Sequence, residues 1–378
     1  MTTLYRVLLI VAALSLLTAL VMLALGFSSG IGPALIAFFI ALAIGVRGTE
    51  SLRGVSFTIW IFAAVTAAMF YPQYFLYVGD FKLDRLIVPL IQVIMFGMGT
   101  ALSVQDFVNV AKMPKGVLVG TVCQFTIMPL IGLTIATTFG FPAEIAAGVI
   151  LIGSAPGGVA SNVIAYLAGA NLPLSVTLTT VSTLMAPIMT PFLMKTLAGQ
   201  FVPVNFLDMM IGIINMIIVP IVLGLLFNKL FHGRTRWLDR AMPIVSMVGI
   251  AVIITIITAA GRDSLLEVGL FLILAAILHN GMGYLLGYWG ARLMRLDERS
   301  CRTVAIEVGM QNGGMSSGIA LQMGKLATVG LAPAIFGPWM NISGSILANY
   351  WRARPIDEPA ERADERKVEE DKALAGGN

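Results

Sequence analysis

For its first 351 residues the chain alternates long apolar runs with short polar joints. A membrane-spanning helix needs ~20 mostly apolar residues. That template fits residues 5–27, 31–47, 55–72, 85–104, 116–139 and 145–168, and again 173–195, 205–229, 241–260, 266–290, 303–324 and 331–350. The pattern predicts an all-α polytopic membrane protein of twelve spans. The first run, Val7 to Phe27, carries no convincing small-residue cleavage site and reads as a retained span rather than a leader.

Composition agrees: 58% of residues are hydrophobic and 12% charged, against about 25% charged in a soluble domain, which excludes a water-soluble fold. The charge is also segregated, because residues 352–378 hold 14 of the 44 Asp, Glu, Lys and Arg. That stretch reads as a charged tail, dangling or forming a loose surface helix. Lys and Arg mark the cytoplasmic loops of membrane proteins. Here Arg47 and Arg53, Lys112 and Lys115, Lys229, Arg234, Arg236 and Arg240, and Arg292, Arg295, Arg299 and Arg302 fall on one side. Both termini are therefore expected in the cytoplasm. A net charge of only +4 gives no case for nucleic acid. Cys123 lies in an apolar run and Cys301 in what reads as a basic loop, so neither a disulfide framework nor a thiolate metal site is indicated.

Two runs are interrupted where a lipid-facing helix would stay apolar: GSAPGGVASNVIAYLAG at 153–169 and IEVGMQNGGMSSGIALQMG at 306–324. Gly157-Gly158-x-Ala160-Ser161 aligns with Gly313-Gly314-x-Ser316-Ser317. Four spans separate the two, so each is the fourth helix of a five-helix set, and they cross the bilayer in opposite directions. Gly/Pro-interrupted segments at matching places in two inverted halves point to a transporter's midplane site. The blander reading is that Gly-Gly merely lets helices pack closely; Pro156, Asn162, Glu307, Gln311 and Asn312 add polar groups that packing alone does not require.

Glu307 is the one carboxylate read as deep within a span. Charge there costs from ~2.5 kcal/mol to well above 10, and it needs a partner. No span interior offers a Lys or Arg, so a bound cation is the natural counter-ion. Neutral oxygen donors are at hand in Ser161, Asn162, Ser175, Thr179 and Gln124. Gln311 and Asn312 follow Glu307 by four and five residues, where unwinding would free the carbonyls of Val308 and Met310. Hard oxygen ligands suit Na⁺ and argue against soft metals. Each hydroxyl alone is more often bonded back to its own helix; the cluster is what carries weight. His279, on an apolar span, reads as a packed side chain hydrogen-bonded to a neighbour, and His232 lies in a basic loop. No nucleophile, base, metal cluster or phosphate loop is present, so no catalytic residue and no cofactor are assigned. Half-helix N-termini at 156–158 and 311–314 would aim free N–H groups at an anion.

At these same residues the sequence resembles the bile acid:sodium symporter family, bacterial members included. The resemblance runs from Ser56 to Trp351 and is carried by MFGMGTAL at 95–102, QFTIMP at 124–129, PAEIAAGVILIGSAPGGVASNVIAYLA at 142–168, LSVTLTTVSTLMAPIMTP at 174–191, LHNGMGYLLG at 278–287, IEVGMQNGG at 306–314 and WMNISGS at 339–345. It implies a ten-helix unit, residues 55–351, of two inverted five-helix repeats with interleaved panel and core domains. Residues 1–54 are then an added hairpin of two spans, and 352–378 a cytoplasmic tail. It implies two sodium sites: Ser161, Asn162, Ser175, Thr179 and Glu307 match the ligands of one, and Gln124, Glu307, Val308, Met310 and Gln311 those of the other. Asn312, Asn341, Gly158 and Ser161 match positions at the substrate cavity. Met340 departs from the polar residue some bacterial relatives carry there.

The resulting expectation is a sodium-coupled symporter in the bacterial inner membrane, its partners the lipid bilayer, Na⁺ and a small organic anion such as pantoate, a keto acid, a sulfonate or a bile acid. Two alternatives stand beside it: proton coupling through Glu307, and a membrane sensor that binds the anion without moving it.

Overall fold

Helix follows helix through a computed structural model of the chain, which describes residues 3–49, 54–103, 108, 110–231 and 236–356. In chain order the helices are α1 (Thr3–Ala24), α2 (Ser28–Gly45), α3 (Ser56–Phe70), α4 (Ile87–Ala101), α5 (Pro114–Thr138), α6 (Ala143–Gly153), α7 (Ala160–Leu167) and α8 (Leu172–Leu193). After them come α9 (Phe206–Ile213), α10 (Val219–Phe231), α11 (Arg236–Ala260), α12 (Arg262–Leu293), α13 (Glu298–Gly309), α14 (Gly313–Gln322) and α15 (Leu331–Arg352). Two wide π-helical turns extend this set: Met194–Ala198 prolongs α8, and Ile214–Ile218 joins α9 to α10 as one rod. Each lies next to a proline, Pro191 or Pro220, whose missing N–H and bulky ring disturb the regular ladder.

Each of the twelve apolar runs falls on helix, ten as single segments and two as pairs of half-helices. Eight helices among the described residues are long and apolar enough to cross a membrane, with α3 and α6 shorter at 15 and 11 residues. The protein is an all-α, multi-pass membrane protein. A two-strand ribbon, β1 (Tyr77–Val78) and β2 (Phe81–Lys82), turns at Gly79 before α4.

α1 and α2 form a hairpin turning at Gly26, whose φ of +75° favours a residue without Cβ. Its seam is built on small residues: a Cβ on Gly45 would strike Leu9, and one on Gly48 would strike Tyr5. α3 lies against α2, where Ser56 Oγ donates to the Ala43 carbonyl at 2.8 Å, and then against α11. α4, α10 and α11 make a second group, with Gly99 against the Ile221 carbonyl and Gly224 against that of Phe96. The third group gathers α5, α6, α7, α8, α12, α13 and α15 around the two interrupted spans. α14 and α9 pack on each other where the second and third groups meet.

Two residues depart from the sequence reading. Cys301 and Arg302 do not lie in a loop: Asp297 caps a helix by accepting from the Ser300 N–H at 3.0 Å, and both residues are buried in its first turns. Burial of Arg302 is met by Glu298 at 3.0 Å, by the carbonyls of Trp351 and Arg354 at the end of α15, and by the face of the Trp351 ring. Arg53, His232, Arg234 and residues 357–378 of the expected tail lie outside the described residues.

Candidate functional site at the crossing of two broken helices

In hydrocarbon every backbone polar group must find a partner within the protein, and the two broken spans meet this by pairing with each other. After α6 the chain leaves the helix through Ser154–Val159 before α7; after α13 it does so through Met310–Asn312 before α14. The two stretches lie antiparallel, the Gly158 N–H donating to the Met310 carbonyl at 2.8 Å and the Asn312 N–H to that of Pro156 at 2.9 Å. Only glycine allows so close an approach. A Cβ on Gly158 would stand 2.8 Å from the Gln311 carbonyl oxygen, and one on Gly157 would stand 2.7 Å from Glu307 Oε2.

Glu307, in the last turn of α13, is 3% exposed and the only fully buried acid among the described residues. Its partners are hydroxyls. Ser161 of α7 and Ser175 of α8 both donate to Oε1 at 2.5 Å, and Thr179 of α8 donates to Oε2 at 2.8 Å. Asn162 joins the group through Oδ1, which lies 2.8 Å from Ser175 Oγ and 3.3 Å from Thr179 Oγ1. The first expected oxygen set is thus assembled from three helices around one carboxylate. Ser175 and Thr179 stand one turn apart on α8, and α7 presents Ser161 and Asn162 because its N-terminus begins at the break.

The second expected set is brought together as a chain of amides. Gln124 of α5 donates from Nε2 to Gln311 Oε1 at 2.6 Å and to the Ala155 carbonyl at 2.8 Å, and Gln311 Nε2 donates to the Val308 carbonyl at 2.5 Å. Val308 lies in the last turn of α13 and Met310 just past its end, and the carbonyl of each already accepts a bond, from Gln311 and from Gly158. The N–H groups at the breaks are likewise largely engaged rather than free. Gly157 donates to Ser182 Oγ at 3.3 Å, Gly313 to the Gln311 carbonyl, and Met315 to Asn312 Oδ1, which caps α14.

Of the residues matched to a substrate cavity, Gly158 and Ser161 lie in this crossing and Asn312 adjoins it with a buried Nδ2 that has no partner. Asn341 is half-buried on α15, next to Met340, whose sulfur accepts the Gln311 N–H at 3.0 Å. A cavity of about 460 Å³ opens elsewhere, between α9 and α14, walled by Asn205, Asp208, Gly212, Asn215, Ile319 and Gln322. None of the four matched residues lines it.

Other polar groups at the crossing escaped the sequence reading. Asn280 of α12 donates to the Gly309 carbonyl at 2.8 Å while its Oδ1 accepts from Ser343, which also meets Tyr284 at 3.2 Å. Ser182 stands three residues beyond Thr179 and so on the same face of α8; that spacing was the signal available for it. His279 is packed as expected: Nε2 donates to the Met128 carbonyl at 3.2 Å against the Phe336 ring.

Residues 88–268 match the Sodium Bile acid symporter family. The uncharacterized sodium-dependent transporter YocS of Bacillus subtilis (strain 168) is 39% identical over 307 residues, covering 81% of this chain and 94% of that protein. The chain belongs to the sodium bile acid symporter family. Its likeness extends to plants: the probable sodium/metabolite cotransporter BASS1, chloroplastic, of Oryza sativa subsp. japonica is 31% identical over 330 residues, covering 84% of this chain and 79% of that protein.

Proposed function

We propose that the protein is a sodium-driven symporter of a small organic anion, working by alternating access without a cofactor. The observation that carries this reading is Glu307: a carboxylate in the middle of the bundle, held by three hydroxyls, with no salt bridge among the described residues. A buried carboxylate calls for a positive partner, and oxygen ligands of this kind are what Na⁺ takes. Ser161, Asn162, Ser175 and Thr179 form one sodium site with Glu307; Gln124, Gln311 and the carbonyls of Val308 and Met310, each of which keeps a second lone pair, serve a second.

Coupling follows from where these ligands sit. Glu307 belongs to one broken span and Ser161 and Asn162 to the other, so an ion bound between them fixes how the two breaks cross. Asn312 and Asn341 then present amide donors to the anion, the unpaired Asn312 Nδ2 foremost, with Gly158 and Ser161 lining the crossing beside them. Because the ions and the anion stabilise the same crossing, each raises the affinity of the other by the same factor. The relatives named for sodium-dependent transport and sodium/metabolite cotransport support this reading. Pantoate, keto acids, sulfonates and bile acids are the substrates to try. Residues 55–351 act as two inverted five-helix repeats, 1–54 add a hairpin, 352–378 form a tail, and both termini face the cytoplasm of a bacterial inner membrane.

The test is uptake of labelled pantoate, pyruvate and taurocholate into proteoliposomes under an inward Na⁺ gradient, with choline replacing Na⁺ at constant pH. Accumulation that requires Na⁺ supports symport. Uptake driven by a pH gradient and indifferent to Na⁺ would assign the coupling to protons, and binding without accumulation would make the protein a sensor.

A further inference from the structure

Where α12 ends, α13 begins and α15 ends, over residues 288–302 and 350–356, six arginines stand against two acids, Asp297 and Glu298. Contacts gather the three helix ends into one place. The Tyr288 ring stacks on that of Trp351 at 6.3 Å, Tyr288 Oη donates to Glu298 at 2.7 Å, and Arg302 reaches the carbonyls of Trp351 and Arg354. Both acids are already engaged, Glu298 by Arg302 and Arg292, and Asp297 by the N–H and hydroxyl of Ser300. Arg295, Arg352 and Arg354 are exposed and make no ion pair among the described residues. Arg295 also holds a φ of +57° in the turn after α12, where every other positive φ among the described residues belongs to a glycine. Glycine would make that turn with less strain, so the use of an arginine there is sought in its guanidinium. An apolar surface leads up to these charges. Leu285, Trp289 and Leu293 are at least half exposed along one face of α12, as are Ile346 and Tyr350 along one face of α15.

We propose that this border is a headgroup site for a phospholipid of net negative charge, its phosphate held by Arg295, Arg352 and Arg354 and its acyl chains lying along the exposed faces of α12 and α15. The proposal is independent of the sodium reading and rests only on the chain's place in a membrane. The planar fork of a guanidinium matches the oxygens of a phosphate. Tryptophan and tyrosine beside basic residues mark the depth of lipid headgroups, and basic clusters at that depth attract anionic lipids. A soluble phosphate would leave the apolar faces unmet. The acid-rich residues 357–378 complement the charge, but Val368 and Leu374 are their only large apolar side chains. A lipid satisfies both halves of the surface.

The experiment is thermal unfolding of the purified full-length protein in a zwitterionic detergent, titrated with phosphatidylglycerol, phosphatidylcholine or soluble glycerol phosphate. A ligand of the folded state raises the midpoint as its concentration passes the dissociation constant, and each arginine near an anionic lipid is worth a factor of about five. Wild type is expected to respond to phosphatidylglycerol at about tenfold lower concentration than to phosphatidylcholine. Arg295→Gln/Arg352→Gln/Arg354→Gln is expected to need at least about tenfold more phosphatidylglycerol than wild type, with its phosphatidylcholine response unchanged. Lys112→Gln/Lys115→Gln/Lys229→Gln, which removes three exposed charges elsewhere on the same expected side, keeps the wild-type response. Equal responses to the two lipids, a preference that survives in the arginine variant, or a response to glycerol phosphate as large as that to the lipid would each overturn the site. Tyr350→p-benzoylphenylalanine, illuminated in native membranes, then names the occupant. Cross-links to anionic phospholipid in excess of its share of the membrane support the proposal; cross-links to residues 357–378, to a second copy or to another protein would overturn it.

Discussion

Gly157 lies so close to Glu307 that a Cβ added to it would stand 2.7 Å from the carboxylate Oε2. The glycine therefore serves space rather than turn conformation, since its φ is not among the positive ones. The Gly-Gly pair of the first break makes room for the acid of the second, which ties the two interrupted spans into one site.

Gly157→Ala follows directly. The methyl must displace the carboxylate or the break, an overpacking that costs about 1–3 kcal/mol in a filled core. Sodium-dependent uptake is expected to fall at least about tenfold while the protein still inserts and purifies. Uptake assays on vesicles of matched protein content check this; wild-type uptake by the alanine variant would show that the carboxylate tolerates crowding.

Asn280 stands to the second break as Gln124 stands to the first. Each precedes its glycine pair by 33 residues, and each donates to a carbonyl at the end of the half-helix before it, Gly309 or Ala155. The difference is instructive: Asn280 Oδ1 is taken by Ser343, whereas Gln124 Oε1 has no partner. Asn280→Leu removes the partner of the Gly309 carbonyl and leaves Ser343 with only Tyr284 and the Met340 carbonyl, a loss of about 1–3 kcal/mol. Ser343→Ala in the same background adds less than it does alone, because the two share one network. Thermal unfolding of the two single variants and the double variant measures the coupling.

At the edge of the bundle Glu144, in the first turn of α6, bonds to Lys325 and accepts from Thr328 Oγ1 at 2.5 Å, linking the start of the first broken span to the loop after the second. The hydrogen bonds from Lys325 and Thr328, with the charge of Lys325, hold its carboxyl below the usual carboxylate range. A depressed folded-state pKa contributes stability that is fully present above the unfolded value, ~4.3, and is lost as pH falls through the folded one. The difference in melting temperature between wild type and Glu144→Gln is therefore expected to be flat from neutral pH down to about 5 and to shrink below about 4. The pair is partly exposed, so the plateau itself is modest.

Much of this was legible in the chain. The twelve apolar runs mark the helices because a bilayer imposes length and hydrophobicity on each span. Glu307 stands out because an acid in such a run is expensive, and the paired glycines because they interrupt runs that would otherwise be uniform. Thr121 was not legible: a hydroxyl in an apolar helix usually bonds back to its own backbone, and only the meeting of α5 and α8 across Gly120 places this one in a wall shared with Glu307. Arg302 was misplaced for a similar reason. An arginine at the edge of an apolar run reads as a loop residue until the end of α15 arrives to supply two carbonyls and a tryptophan face.

Binding of radioactive sodium to the purified protein, wild type against Glu307→Gln, tests the sodium role of the buried acid without knowledge of the substrate. The glutamine keeps the shape and removes the charge. Saturable binding in wild type that is lost in Glu307→Gln is the expected result; equal binding in both, or none in either, would contradict a sodium site built on this carboxylate.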